Sequence, residues 1–66
     1  MYPNLNAEMA RYDITAKDIA ETLERSVERT RDKLTGRVKI DMIEAAAIRN
    51  KHFPGMTLDY LFEIRE

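Results

Sequence analysis

The 66-residue chain contains no cysteine and no tryptophan, and it has one histidine, two glycines and two prolines. The lack of cysteine excludes disulfides, thiol nucleophiles and thiolate metal sites, and His52 alone cannot build a histidine zinc site. No apolar run approaches the ~20 residues of a transmembrane helix, and residues 1–20 hold no apolar stretch of the signal-peptide kind. We therefore expect no metal, no cofactor and no membrane partner, and a location in the cytoplasm.

Side chains arranged for catalysis are also scarce. Ser26 has no histidine near it in the sequence, so a nucleophile–base pair has no support. Asp18, Glu21 and Glu24 fall along one face of a predicted helix, a pattern typical of a solvated row of charges. We expect that the protein is not an enzyme and takes no small-molecule substrate.

Length and composition predict one small domain over residues 1–66. Charged residues make up 35% of the chain and hydrophobic residues 44%, which is typical of a small globular domain and not of a disordered tail. A chain of this size buries only about 60% of its unfolded surface, which favours an economical helical fold. No stretch alternates as a strand does, so we predict an all-α protein.

Capping signals divide the chain into five short helices. Thr15 with Asp18, and Asp41 with Glu44, have the capping-box pattern, in which two residues three apart bond each other's backbone amides. Further N-caps are predicted at Asn4, Ser26 and Thr57. The predicted helices cover residues 4–12, 16–23, 27–34, 42–52 and 58–64.

The fourth predicted helix is apolar around much of its circumference, which indicates a central helix packed on more than one side. Its flanking positions are Ala45 and Ile48. The face expected to be buried consists of Met42, Ile43, Ala46 and Ala47.

The fifth predicted helix is apolar on two sides. Leu58, Leu61 and Phe62 cluster on one side, which we assign to the core. Tyr60 and Ile64 lie nearly opposite, where a second copy of the chain would cover them. We expect a homodimer contact there; the alternative is that both side chains are half-exposed on a monomer, which is common.

The net charge of −1 conceals a strongly uneven distribution. Residues 1–24 sum to −3, residues 25–39 to +4 and residues 40–66 to −2. We call residues 25–39 the basic segment. Because local potential and not net charge steers a polyanion, the basic segment is compatible with a nucleic-acid partner.

The second and third predicted helices match a DNA-binding helix-turn-helix in length and order. In that unit the first helix crosses the DNA backbone, and the second presents its N-terminal residues to the major groove. Its capped N-terminus also offers free amides to phosphate. The basic segment covers this second helix and the loop after it, so we predict a helix-turn-helix over about residues 15–34.

The strings ITAKDIAETL, ERSVERTRDKLTGR and DMIEAAAIRNKHFPGMTLDYLFE carry a resemblance to a known family. They resemble the Cro- and phage-repressor-like (XRE-type) helix-turn-helix proteins, and most of all the short single-domain regulators of phages and prophages. The resemblance covers residues 4–63. It implies a compact five-helix lambda-repressor-like domain that binds a double-stranded DNA operator as a symmetric homodimer. It further implies a transcriptional repressor acting at the nucleoid of a bacterial host.

On this hypothesis the third helix reads bases and its surroundings bind phosphates. Arg31 pairs with guanine, Glu28 or Asp32 accepts from cytosine, and Val27 contacts a thymine methyl group. For each cation the alternative is an ordinary solvated side chain. The residues expected on phosphate, or in the case of Arg29 and Lys33 on phosphate or base, are Lys17, Ser26, Arg29, Lys33, Thr35, Arg37 and Lys39.

The chain departs from the family pattern mainly at the turn. Glu24 stands where the family usually has glycine, and Arg25 and Thr30 stand where it usually has apolar residues. Ala16 replaces a frequent glutamine that reaches phosphate. We predict a less well packed turn and weaker or unusually selective binding. The alternative function keeps the fold for protein contact, as an antitoxin-like or antirepressor-binding module with weak or no DNA binding.

Overall fold

Five α-helices make up the fold in the computed structural model, which describes residues 1–65. They are α1 (Pro3–Arg11), α2 (Ala16–Leu23), α3 (Val27–Leu34), α4 (Met42–His52) and α5 (Leu58–Leu61). No strand occurs within residues 1–65, and the all-α prediction is confirmed. The radius of gyration of the α-carbons is 10.4 Å, against about 11 Å expected for a compact chain of this length.

Two capping boxes fix where α2 and α4 begin. The Thr15 hydroxyl accepts the N–H of Asp18 at 3.2 Å, and the Asp18 carboxylate accepts the N–H of Thr15 at 2.9 Å. The reciprocal bonds between Asp41 and Glu44 are 2.8 and 3.1 Å long. Because such caps satisfy backbone groups that the helix itself leaves free, they fix its first residue. The predicted bounds of α2, α3 and α4 agree with the structure.

The start of α1 differs from the prediction. Its first residue is Pro3, whose fixed φ suits the first turn of a helix, and no side chain caps it. The predicted cap, Asn4, lies inside the helix instead. Its amide group donates to the carbonyl oxygen of Tyr60 at 2.8 Å and so ties α1 to α5.

The end of α5 differs as well, because the helix stops at Leu61, short of the predicted Ile64. Beyond it the chain turns toward the N-terminus, where the N–H of Arg65 donates to the carbonyl oxygen of Met1 at 3.2 Å. The amide of Arg65 is thereby used in pairing with the other end of the chain and not in continuing α5.

All five helices contribute to one apolar core. Leu5 of α1, Ile19 of α2, Ile48 of α4 and Leu61 of α5 have no exposed surface. Leu34 brings the end of α3 into the same cluster. Side chains this completely buried each contribute roughly 1.5–3 kcal/mol through removal of apolar surface from water.

The buried face of α4 is not the predicted one. Met42 and Ile43 are 74% and 82% exposed, whereas Glu44, Ala45 and Ile48 are buried. Because α4 has apolar side chains around most of its circumference, the sequence pattern does not indicate which side of the helix faces the core. Glu44 lies on the inward side of α4, where its carboxylate caps the helix and meets Lys33 of α3.

Candidate nucleic-acid interface

The connection between α2 and α3 is a tight turn built on a left-handed residue. Glu24, the residue after α2, has φ 55° and ψ 44°, and the N–H of Arg25 bonds back to the carbonyl oxygen of Ala20 at 3.0 Å. The Ser26 hydroxyl then accepts the N–H of Arg29 at 3.2 Å and caps α3. The two helices pack extensively on each other.

The Glu24→Gly variant should be more stable than the natural chain by about 0.5–1 kcal/mol. The left-handed conformation costs a residue with a β-carbon about 1–2 kcal/mol, and the larger unfolded-state entropy of glycine offsets part of that gain. In a domain of this size the change corresponds to a melting temperature higher by several degrees, which thermal unfolding measures. Glu24→Ala is the control, since it removes the same charge and keeps the β-carbon. Equal gains from both variants would mean that charge and not backbone conformation is responsible.

Thr30 and Leu34 anchor the inner face of α3. Thr30 is fully buried, in agreement with an inward position in the middle of the helix. Its hydroxyl donates to the carbonyl oxygen of Ser26 at 2.9 Å, so the buried polar atom has a partner. The departure from an apolar residue is therefore accommodated within α3 itself. Whether the turn is looser than in similar proteins stays a prediction.

The predicted base-reading residues of α3 differ in exposure. Glu28 and Arg31 are exposed, and Val27 and Asp32 are half-buried. The backbone oxygen of Asp32 accepts the N–H groups of residues 37 and 38, which folds the following loop against the end of α3. This loop and the outer face of α3 therefore form a continuous surface.

Most of the residues predicted to bind phosphate are exposed on or beside this surface. Exposed cations occur on α3 and on the loop that follows it, and the only acid exposed on α3 is Glu28. Within residues 25–39 the exposed charge is therefore predominantly positive. The exposed members of the predicted set are Lys17, Ser26, Arg29, Thr35, Arg37 and Lys39.

Lys33 is the exception, because it faces α4. Its ammonium nitrogen lies 2.7 and 2.8 Å from the two carboxylate oxygens of Glu44. The Lys33 side chain is only 13% exposed and that of Glu44 only 9%. The predicted contact of Lys33 with phosphate or base would require this ion pair to open.

Arg25, in the turn before α3, also lies near the Glu44 carboxylate. Its Nε lies 3.9 Å from a carboxylate oxygen of Glu44, and its side chain is 55% exposed. An arginine at this point of the turn thus lies beside a buried carboxylate instead of filling an apolar site. At this exposure the pair contributes about 1 kcal/mol or less to stability.

The capping-box pattern predicts that Glu44 caps α4 and does not predict its contact with α3. The partner Lys33 lies 11 residues earlier, a separation that matches no local helical spacing. One feature of the sequence is compatible with this ion pair. Glu44 is an acid at the third position of a helix, and the segment before that helix is basic. Tertiary packing decides which of the six basic residues in that segment it meets.

The predicted dimer residues lie on α5 and just beyond it. Tyr60 is 43% exposed and Ile64 55% exposed. The Tyr60 hydroxyl donates to the buried carboxylate of Glu8 at 2.7 Å, so one edge of its ring is already engaged within the chain. Ile64 lines an open groove of about 370 Å³ together with Met42 and Leu58.

Three groups outside this surface have shifted pKa values. The N–H of Thr15, bonded to the Asp18 carboxylate, lowers the pKa of Asp18 below its ordinary value. Burial against α2, where its ring meets the Thr22 hydroxyl at 2.7 Å, lowers the pKa of His52. The hydrogen bond to Glu8 raises the pKa of Tyr60.

Within residues 1–65, no histidine and carboxylate side chains are grouped so that three of them could hold a metal ion. None of the five helices has both the length and the apolar character needed to cross a bilayer. Comparison with protein-family models, with curated proteins and with solved structures gives no match for this chain.

Proposed function

We propose that this protein binds double-stranded DNA at a specific operator and acts as a Cro-like transcriptional repressor. The helices α2 and α3 would form its helix-turn-helix, within a lambda-repressor-like domain. The observation that carries the proposal is the two-sided character of α3. Thr30 and Leu34 are buried, while exposed cations occupy its outer face and the adjoining loop. A helix held in this way can enter the major groove without losing its packing.

The exposed side chains support different roles in such a complex. Arg31 has the bidentate donor geometry that matches guanine, and Glu28 can accept from the amino group of cytosine. The half-buried Val27 and Asp32 would lie close to the base edges. Phosphate contacts come from the exposed hydroxyl and cationic groups around α3, which set the register on the duplex. These groups are Lys17, Ser26, Arg29, Thr35, Arg37 and Lys39.

We also propose that two copies bind the operator together. Tyr60 and Ile64 expose apolar surface on α5 and just beyond it, and Met42 adds a further exposed apolar side chain on the groove that Ile64 lines. A twofold-symmetric pair would bury this surface and place two α3 helices about one DNA turn apart. Such a repressor would act in the bacterial cytoplasm, at the nucleoid.

The dependence of DNA binding on salt tests the function. We expect selection from random duplexes to yield an operator sequence. Titration of that operator with the protein should give a stoichiometry of two chains per duplex. With six to ten phosphate contacts, the affinity should fall by roughly 10³–10⁵ between 50 and 200 mM salt. Failure to bind any duplex at 50 mM salt would contradict the proposal. It would favour the protein-contact module, for which the exposed Met42 and Ile43 offer a surface.

Replacement of Arg31 by alanine should weaken operator binding by about 1–3 kcal/mol and relax the preference at one base pair. The reason is that a bidentate contact to guanine has no substitute once the guanidinium is gone. Binding to random DNA should change much less. Lys51→Ala is the matched control, because it removes one exposed cation from α4, outside the basic segment. Equal losses on operator and random DNA would show that Arg31 reads no base.

A further inference from the structure

The contacts of α3 with the rest of the domain are unevenly distributed. One side of α3 packs on α2, and no comparably extensive packing joins α3 to α4 within residues 1–65. The segment between them, residues 35–41, is exposed except at Ile40. Leu34 joins the end of α3 to the core, and the ion pair between Lys33 and Glu44 joins α3 to α4.

The Glu44 carboxylate in this ion pair is held in place by a second hydrogen bond. One carboxylate oxygen accepts both the Lys33 ammonium at 2.7 Å and the backbone N–H of Asp41 at 3.1 Å. The second oxygen accepts the same ammonium at 2.8 Å. The capping box thus holds the carboxylate to the start of α4, and its burial excludes water that would otherwise compete. Lys33 is therefore attached to the framework of α4 and not to a mobile surface group.

We propose that Lys33 is a positioning residue, which sets the angle of α3 to α4 and so aims the DNA-facing side chains. This inference rests on the proposed function, in which α3 enters the major groove. A phosphate contact would require Lys33 to leave the buried Glu44 carboxylate with the more distant Arg25, at 3.9 Å, as its cationic neighbour, which is unfavourable. Glu44 is also a positioning residue, because it holds Lys33 from α4 and does not contact DNA itself.

If Lys33 positions α3, removal of the Glu44 carboxylate should have the opposite effect on DNA affinity from the one expected if Lys33 contacts DNA directly. If only charge mattered, removal of this carboxylate next to the basic segment would strengthen binding to DNA. If the pair positions α3, Glu44→Gln should weaken operator binding instead. Glutamine suits the variant because it can still accept the N–H of Asp41 in the capping box. The substitution therefore removes the ion pair with Lys33, together with the longer contact to Arg25, and retains the start of α4.

The experiment measures operator and random-DNA affinities of Lys33→Met, Glu44→Gln and the double variant at several salt concentrations. We expect each single variant to lose roughly tenfold on the operator, in the range for residues in direct contact, and the double variant to lose no more. Losses on random DNA should be small and the salt slope unchanged. Lys33→Arg should restore most of the affinity. Arg37→Met, which removes an exposed cation, should instead lower the salt slope by about one.

A Lys33→Met variant that lowers the salt slope by about one, with equal losses on operator and random DNA, would overturn the proposal. Tighter binding by Glu44→Gln would overturn it as well. The orientation of α3 relative to α4 is measured in the free protein from residual dipolar couplings of the backbone amides. We expect Glu44→Gln to change it while α2 and α4 keep their mutual orientation; unchanged couplings would contradict the positioning role.

This second measurement needs no DNA. If the natural chain binds no duplex but α3 reorients in Glu44→Gln, the proposed function fails and the mechanical role of the pair stands. If the natural chain binds its operator and α3 does not reorient, the proposed function stands and the positioning role fails. Should Lys33→Met not fold, Lys33→Arg and Glu44→Gln, judged folded by circular dichroism, still decide between the two.

Discussion

Replacement of Ile48 by alanine should bring the protein close to unfolding. Ile48 has no exposed surface and lies in the core cluster with residues of α1, α2 and α5. Truncation of such a side chain costs about 2–5 kcal/mol, because the lost contacts leave a cavity that the core fills only in part. A domain of this size has a total stability of roughly 3–10 kcal/mol. Chemical denaturation followed by circular dichroism measures the loss.

Ile43→Ala is the control for Ile48→Ala, because it makes the same chemical change on the same helix. Ile43 is 82% exposed, so its truncation should alter the free energy of unfolding by about 0.5 kcal/mol or less. The two variants together test which face of α4 is buried. A larger loss from Ile43→Ala than from Ile48→Ala would support the orientation expected from sequence and contradict the structure.

The Gly36→Ala variant should lose about 2–3 kcal/mol of stability. Gly36 has φ +89°, a conformation that residues with a β-carbon rarely adopt. An added β-carbon would also lie 2.8 Å from the backbone nitrogen of Met1 and 3.1 Å from its α-carbon. Because the crowded atoms are backbone and not the end of a flexible side chain, the N-terminus itself must shift. Thermal and chemical unfolding measure the loss.

The other glycine provides the comparison. A β-carbon added at Gly55 would have no heavy atom within 4 Å apart from those of Gly55 itself and its two chain neighbours. Gly55→Ala should therefore be nearly neutral, or stabilising by a few tenths of a kcal/mol through the lower entropy of the unfolded chain. Similar losses at both glycines would mean that neither backbone conformation nor the approach of Met1 is important at Gly36.

The helices were predicted well where the signals were local. Thr15, Ser26 and Asp41 cap helices whose observed bounds match the predicted ones, because a cap acts on amides within three residues. The ends of the chain were predicted less well. The hydrogen bond of Asn4 to Tyr60 and the length of α5 depend on contacts between residues far apart in the sequence. No short sequence window contains both partners of such a contact.

The candidate site was predictable in its charge and only partly in its geometry. The uneven charge distribution identified the basic segment, and most of its cations are exposed in the structure. The sequence could not identify Lys33 as the cation that turns inward. Its neighbours Arg29 and Arg31 have the same charge and helical setting, and only the placement of Glu44 distinguishes Lys33 from them. That placement follows from how α4 packs, which periodicity left undetermined.

The bond between Met1 and Arg65 makes the polypeptide almost a closed ring. The N–H of Arg65 and the carbonyl oxygen of Met1 are 3.2 Å apart, beside the loop that follows α3. A short linker that joins residue 65 to residue 1 would therefore require little rearrangement of the native structure. In the chain-entropy description of cross-links, closing a loop of this length removes roughly 4 kcal/mol of unfolded-state entropy. A link between residues 65 and 1 would thus act almost entirely on the unfolded chain.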